Sequence, residues 1–226
     1  MAISFFVNAM QVDFASVLAM EHSGMVRMFK SLEYTGLKGF LEASGSVYEG
    51  AVLEFFANAK VIFGMIISFV ANRKLALTKE VFAESFGLPT EGITRFLDIP
   101  KQNVVEMWRR FSGSDVPFRA PSKKKEMKVV FRLLHEKVAK ALCAKAGSFD
   151  VVTSEQLDLM LAITAGLKVN SAQVLFQVLL SMVSNPNRQS QGFAVQISVL
   201  LQNLVQSDLG ATVKLHPQKV LTNKSV

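Results

Sequence analysis

Residues 170–183, NSAQVLFQVLLSMV, decide the fold because they predict a helix that is apolar on nearly every side. Asn170 and Gln173 have the spacing of a capping pair at a helix start. Gln177 and Ser181 are the polar interruptions in the apolar run that follows. A helix that is apolar all round is buried among other elements, so we expect this one at the centre of the core.

The segments on either side of this helix are also helical by pattern. Thr153 and Gln156 repeat the capping pair, and Gly166 closes the helix that they begin. Residues 193–209 are predicted to form a last helix, and residues 211–226 show no helical period. Caps and periodicity predict further helices over residues 47–59, 79–86 and 100–113, with two short ones before Gly36. The predicted class is therefore mainly α.

One stretch departs from the helical pattern. Residues 61–70 are rich in Val, Ile and Phe, and Asn72 separates them from a second apolar run that ends at Leu77. Asparagine between two runs of strand-forming residues is typical of a β-hairpin. A buried helix is the alternative, because such a run has no clean period. The expected fold is mainly α, with one β-hairpin around residues 61–77 as an open alternative.

Residues 112–122, SGSDVPFRAPS, are the most loop-like stretch and mark a boundary between two helical lobes. We place an N-terminal lobe at residues 1–112, a C-terminal lobe at residues 113–210 and an extended tail at residues 211–226. The C-terminal lobe is predicted to begin with a long basic helix, residues 123–146. An apolar stripe at three- and four-residue spacing supports that helix. The stripe consists of Met127, Val130, Phe131, Leu134, Val138 and Ala141.

The positive charge of the chain is concentrated on this predicted helix. Residues 119–145 hold nine basic and two acidic side chains, an excess that equals the net charge of +7. Cations at a helix N-terminus oppose the helix dipole, which raises the odds of an anionic partner, with a merely solvated helix start as the alternative. Helical geometry would place His135 on the same face as three of these cations. The predicted nucleic-acid-binding residues are Lys123, Lys124, Lys125, Lys128 and Arg132.

Residue types and spacing argue against several kinds of site. The one cysteine, Cys143, would lie about 12 Å from His135 on one helix, too far for a nucleophile and its base. One cysteine and three scattered histidines supply no zinc cluster, and no phosphate-binding glycine loop is present. Asp98 and Asp150 fit helix starts or loops better than a two-metal nuclease centre. We therefore name no catalytic residue and no metal ligand, expect no cofactor, and identify no small-molecule substrate.

Composition bounds the location and the kind of partner. Apolar residues make up 50% of the chain, so either a membrane segment or a partner-binding surface could explain the high hydropathy. The longest apolar run, residues 61–71, is about half of the roughly 20 residues that a spanning helix needs. The N-terminus also lacks the basic residues of a signal peptide. We expect an intracellular protein, in the nucleus or cytoplasm, with no membrane partner.

Short patterns spread over residues 40–205 resemble one known family. They comprise Glu54-Phe55-Phe56-Ala57-Asn58, residues 61–89, Trp108, Phe111, Leu133-Leu134-His135 and the predicted helices at 154–165 and 171–183. These patterns are similar to the plant transposon protein domain family, whose members are retroelement-derived plant proteins. The resemblance implies a remnant of a retroelement coding region. It supplies no catalytic residue that could be carried over to this chain.

Three functions are compatible with these observations, in decreasing order of support. The first is a non-enzymatic, retroelement-derived helical module for protein interaction or self-association, suggested by the apolar composition and the missing catalytic motifs. The second is nucleic-acid binding through the predicted basic helix, residues 123–146. The third, a divergent transposase-type enzyme, is a distant one.

Overall fold

The computed structural model describes residues 11–42, 46–94, 101–144, 150–185, 193–215 and 220–223. Helices account for 54% of the described part and strands for 17%. The predicted helical majority is therefore confirmed, but the fold is mixed α/β rather than mainly α. The strand content comes from one three-stranded sheet and from several pairs of two-residue strands.

Ten α-helices lie within the described ranges. They are α1 Phe14–Leu18, α2 Ser23–Tyr34, α3 Lys38–Leu41, α4 Glu49–Asn58, α5 Lys79–Phe86, α6 Lys101–Phe111, α7 Val129–Lys137, α8 Ser154–Thr164, α9 Ser171–Ser184 and α10 Ala194–Leu204. A 3₁₀ turn, Lys124–Glu126, precedes α7, and a π-helical turn, Val138–Leu142, follows it. The strands are β1 Gln11–Val12, β2 Ser46–Val47, β3 Lys60–Ile62, β4 Met65–Val70, β5 Arg73–Leu77, β6 Ser122–Lys123, β7 Val151–Val152, β8 Val213–Lys214 and β9 Val220–Leu221. None of the described helices is long and apolar enough to cross a bilayer.

The helix starts that carry polar caps agree with the sequence. The Asn170 side chain accepts a hydrogen bond from the amide of Gln173 at 2.9 Å, at the start of α9. Thr153 and Gln156 form a reciprocal capping box at the start of α8. These side chains satisfy backbone amides that have no partner inside the helix, which fixes where each helix begins.

The predicted hairpin is confirmed, and it belongs to a larger sheet. Strands β4 and β5 pair in antiparallel register, with Val70 opposite Arg73 across the turn at Ala71-Asn72. A second turn at Phe63-Gly64 splits the predicted first run, so β3 pairs with β4 as a third strand. All four turn residues have positive φ, as two-residue hairpin turns require. Asn and Gly accept that backbone readily, whereas Phe63 and Ala71 adopt it against their preference.

Helix α9 lies in the core, as expected. Leu175, Phe176, Leu179 and Met182 are each at most 2% exposed. The helix packs against α5 and against strands β3 and β4. Buried apolar side chains from both predicted lobes belong to one cluster that extends from Val12 to Leu221. The division into lobes near residues 112–122 stays a prediction.

The predicted extended tail returns to the N-terminal part of the protein. Strand β8 pairs antiparallel with β2, and β9 pairs in parallel with β1. The amide of Asp13 also donates to the carbonyl of Leu221 at 3.0 Å. The first and last described segments therefore stabilise each other by backbone hydrogen bonds.

Candidate functional site

The predicted basic helix over residues 123–146 is wrong at its start. Residues 122–128 form β6, the 3₁₀ turn and an extended link, and α7 begins only at Val129. Strand β6 pairs with β7, and the amide of Lys124 donates to the carbonyl of Asp150 at 2.7 Å. These bonds satisfy the backbone without a helix, so Lys123, Lys124 and Lys125 do not lie in the first turn of an α-helix, where the dipole would repel them.

Backbone hydrogen bonds also fix the other side of this segment. The carbonyl of Glu126 accepts from the amide of Gly113 at 2.7 Å, and the amide of Lys128 donates to the carbonyl of Phe111 at 3.0 Å. Between them, Met127 forms a β-bridge with Ser112 and its side chain is fully buried. The segment that carries the lysines is therefore held at several points along its length.

Arg132 reaches back from α7 to the same segment. Its Nε donates to the carbonyl of Met127 at 2.7 Å, and its Nη2 donates to the carbonyl of Lys125 at 2.6 Å. Two charged donors on one planar group thus clamp the 3₁₀ turn onto the helix. Arg132 lies beside the lysines because of this clamp and not because of helical spacing.

Four of the five predicted site residues line one cavity of about 300 Å³. The cavity is lined by Lys123, Lys124, Lys125, Arg132 and Asp150. The Lys124 ammonium lies 4.0 Å from a carboxylate oxygen of Asp150, a loose and partly exposed pair. An adjoining cavity shares Lys125 and Arg132 and adds Arg119. We call Arg119, Lys123, Lys124, Lys125 and Arg132 the basic face.

Lys128 and His135, which helical spacing would place beside the other cations, lie outside the basic face. Lys128, the fifth predicted site residue, lines a different cavity, together with Arg27, Lys30 and Arg110. His135 is fully buried, and its Nε2 lies 3.0 Å from Oε1 of Gln156 in α8. The predicted surface position of His135 is therefore wrong, because packing against α8 covers that side of α7.

Arg119 is a member of the basic face that the sequence prediction left out. It belongs to the loop-like stretch, and its guanidinium carbon lies 5.5 Å from the centre of the Trp108 ring. That distance is within the range of a cation–π contact. Arg119 lies between Pro117 and Pro121 in a loop, so no helical spacing relates it to Lys125 and only the fold brings the two together.

Charge is also present in the interior beside this face. Lys137 at the end of α7 is 3% exposed, and burial lowers its pKa from 10.5 to about 8, against the opposing effect of Glu136. Burial would raise the pKa of Glu136, but a hydrogen bond from Lys140 and the charges of Lys140, Lys137 and Lys124 bring it below its ordinary value. The start of α7 thus carries surface cations, and its end carries a buried one.

A second surface of distinct chemistry lies at the turn between β3 and β4. We call residues 61–64 the hairpin tip. Phe63 is 97% exposed there, and Val61 and Ile62 are also exposed. Phe63 also has a φ of 49°, a backbone conformation that is strained for phenylalanine. Neither burial of its side chain nor a favoured backbone conformation therefore stabilises Phe63 at the tip.

The chemistry that these surfaces offer is binding by charge and by apolar contact. Among the residues that the structure describes, no group of three or more His, Cys, Asp or Glu side chains could hold a metal ion. The basic face instead presents cations around open cavities, with Glu126 and Asp150 as the carboxylates beside them. Such a surface attracts anions.

Comparison with known proteins assigns no family to this chain. No protein-family model, curated protein or solved structure matches it. The resemblance to plant transposon proteins therefore stays a prediction.

Proposed function

We propose that this protein is a non-enzymatic module that binds nucleic acid through phosphate contacts on its basic face. One observation carries the proposal. Five cations line two adjoining cavities there, and two carboxylates, Glu126 and Asp150, accompany them. A phosphate backbone is the polyanion that repeats negative charge at a spacing suited to several such cations.

The backbone of the basic face supports this proposal. Lys123 and Lys125 are exposed, while the chain that carries them is fixed by strand pairing and by the clamp of Arg132. Fixing the backbone lowers the entropy that is lost when the side chains meet a partner. Contacts to phosphate position a nucleic acid without reading its sequence, so we expect binding that tolerates changes of sequence.

Lysine footprinting tests this proposal directly. With a DNA duplex or single strand bound, Lys123, Lys124 and Lys125 should react more slowly with an amine-modifying ester, as read by mass spectrometry of peptides. Lys60, Lys74 and Lys214 are exposed on strands outside the basic face and serve as internal controls. Equal modification of both sets with and without nucleic acid would contradict the proposal.

Self-association through the hairpin tip is a second candidate function. The observation in its favour is Phe63, which is 97% exposed at a backbone angle that phenylalanine rarely adopts. Strand β3 is also an edge of its sheet, and all three of its residues are exposed. An exposed edge strand with apolar side chains can pair with a second copy of the same strand.

The substitution Phe63→Asn separates the turn from the contact. Asparagine before Gly64 suits this two-residue turn, so the variant should be at least as stable as the wild type. If the tip joins two copies, light scattering should show an assembly for the wild type and a monomer for the variant. A monomeric wild type would remove this candidate and leave the basic face untouched.

The absence of catalysis, the retroelement origin and a location in the nucleus or cytoplasm are parts of the same proposal. Asp150 allows a test of the first part, since it is the carboxylate nearest to Lys124 on the basic face. Protein given DNA or RNA with Mg²⁺ should release no fragments. Cleavage that disappears in Asp150→Asn would support an enzyme instead.

A further inference from the structure

A cavity of about 390 Å³ lies among α2, the end of α6 and the start of α7. It is separate from the basic face. Its lining combines apolar side chains with four cations from three distant parts of the chain. The cations are Arg27, Lys30, Arg110 and Lys128, and the apolar lining includes Met28 and Phe131. We call it the cationic cavity.

Within the part of the chain that the structure describes, the four cations around the cavity are not paired with a carboxylate. No carboxylate lines the cavity, and none of Arg27, Lys30, Arg110 and Lys128 forms an ion pair within the described ranges. All four side chains belong to exposed residues. Like charges gathered around one concavity repel one another, and a bound anion would relieve that repulsion.

The inner wall of the cavity is apolar and well packed. Met28 and Leu134 are buried, and Phe131 lies 4.6 Å from the ring of Phe111, centre to centre. Val130 completes this wall. A wall of packed side chains keeps its shape, so it offers a preformed surface for an apolar group.

The start of α7 adds partial positive charge at the same place. Lys128 is the residue before the helix, and no side chain caps the first amides of α7. The first amides of a helix have no partner inside it and carry the positive end of its dipole. Val130, in that first turn, lines the cavity.

We propose that the cationic cavity binds an amphiphilic anion, with an apolar body against Met28, Val130 and Phe131 and a phosphate or carboxylate among the four cations. A nucleic-acid backbone would leave the apolar wall without a partner, and an apolar ligand alone would leave the cations without one. The combination of both surfaces in one cavity therefore specifies a molecule that has both parts. This inference does not rest on nucleic-acid binding, because it uses a separate cavity.

Calorimetry with octyl phosphate and its two halves tests the proposal. Octyl phosphate should bind about tenfold or more tightly than inorganic phosphate, and octanol should bind more weakly than octyl phosphate. Vesicles of phosphatidylcholine with and without phosphatidic acid tell whether the same chemistry can come from a bilayer. Binding to the acidic vesicles adds a lipid source, and its absence assigns the cavity to a free amphiphile.

Two variants locate the ligand. Arg27→Gln with Lys30→Gln removes two of the cations and should weaken octyl phosphate about tenfold, whereas Arg73→Gln with Lys74→Gln on β5 changes the net charge equally and should have no effect. Ser31→Leu keeps the cations and fills part of the cavity, so it should block octyl phosphate as well. Its near-ultraviolet circular dichroism checks that the fold is kept.

The results that overturn the proposal are equally specific. Equal affinities for octyl phosphate and inorganic phosphate would mean that the apolar wall takes no part. Octyl phosphate binding that survives both Arg27→Gln with Lys30→Gln and Ser31→Leu would place the ligand elsewhere. DNA binding should persist in Ser31→Leu, so failure of one proposal remains distinguishable from failure of the other.

Discussion

Helix α9 and the segment from β6 to the π-helical turn follow opposite rules. Helix α9 begins at a capped residue, continues as regular helix and buries its apolar side chains. Residues 122–142 change from strand to 3₁₀ turn to uncapped helix to π-helical turn, and they bury Lys137. Local departures that cost stability concentrate where a protein binds. The comparison indicates that α9 stabilises the fold, and it agrees with our proposal that residues 122–142 bind a partner at some cost to stability.

The largest expected loss of stability comes from Leu179→Ala in α9. Leu179 is 0% exposed, so the substitution leaves a cavity in the core and should lower the free energy of unfolding by about 2–5 kcal/mol. Gln177→Ala on the exposed side of the same helix should change it by less than about 0.5 kcal/mol. Urea unfolding measures both. A loss as small for Leu179→Ala as for Gln177→Ala would mean that α9 does not stabilise the core.

Lys137 should give a gain of stability with rising pH. Its pKa is lowered from 10.5 to about 8, so between these values the unfolded chain holds a proton that the folded chain has released. Stability therefore increases as pH rises from 8 to 10.5, by about 3 kcal/mol at 1.36 kcal/mol for each pKa unit. Below pH 8 Lys137 is protonated in both the folded and the unfolded chain, so it causes no change of stability with pH there.

The substitution Lys137→Met isolates this contribution from other titrating groups. Methionine fills a similar volume without charge, so the variant should be more stable than the wild type at pH 7 by about 1–3 kcal/mol. The difference should shrink as pH rises toward 10.5, because the wild-type lysine becomes neutral. A difference in the free energy of unfolding that stays constant across this pH range would show that burial does not lower the pKa of Lys137.

Arg132→Gln should cause a smaller loss, because it removes the clamp on the 3₁₀ turn. Two carbonyls would lose a charged donor, at a cost of about 1–3 kcal/mol. Arg132→Lys should fail to restore it, since one ammonium cannot reproduce the planar fork. Exposed Arg73 on β5 supplies the control Arg73→Gln. Full rescue by lysine would mean that charge alone, without the fork, holds the turn.

The sequence predicts α9 well because its determinants are local. The polar cap and the apolar run that specify α9 both lie within a stretch of about four helical turns. The same reasoning fails at residues 123–128, because the buried position of Met127 fits a helical stripe although a β-bridge to Ser112 produces it. An apolar position at helical spacing is therefore weaker evidence than a cap.

The site shows the same limit. The lysines adjacent in sequence were found, since charge density is visible in one window. The prediction missed Arg119 and three of the four cations of the cationic cavity, because residues far apart in sequence meet there only after folding. The buried place of His135 depends on Gln156 in another helix, and nothing near His135 in sequence indicates it.

The smallest expected effect on stability accompanies the largest expected effect on binding. Replacing Lys123, Lys124 and Lys125 with Gln should change the free energy of unfolding by about 0.5 kcal/mol or less, as for most surface residues. Lys60, Lys74 and Lys214 replaced with Gln give a control of equal net charge on exposed strands. Thermal unfolding of the two triple variants checks that they are equally folded.

The salt dependence of DNA binding by these two variants tests the central claim most directly. Three or four phosphate contacts predict that the logarithm of the affinity falls with the logarithm of salt concentration at a slope of about −3 to −4 for the wild type. Fluorescence anisotropy should give the same slope for the control and a slope smaller in magnitude by about three for the Lys123, Lys124 and Lys125 variant. Equal slopes for both variants, or no binding by the wild type at about 50 mM salt, would contradict the assignment of nucleic acid to the basic face.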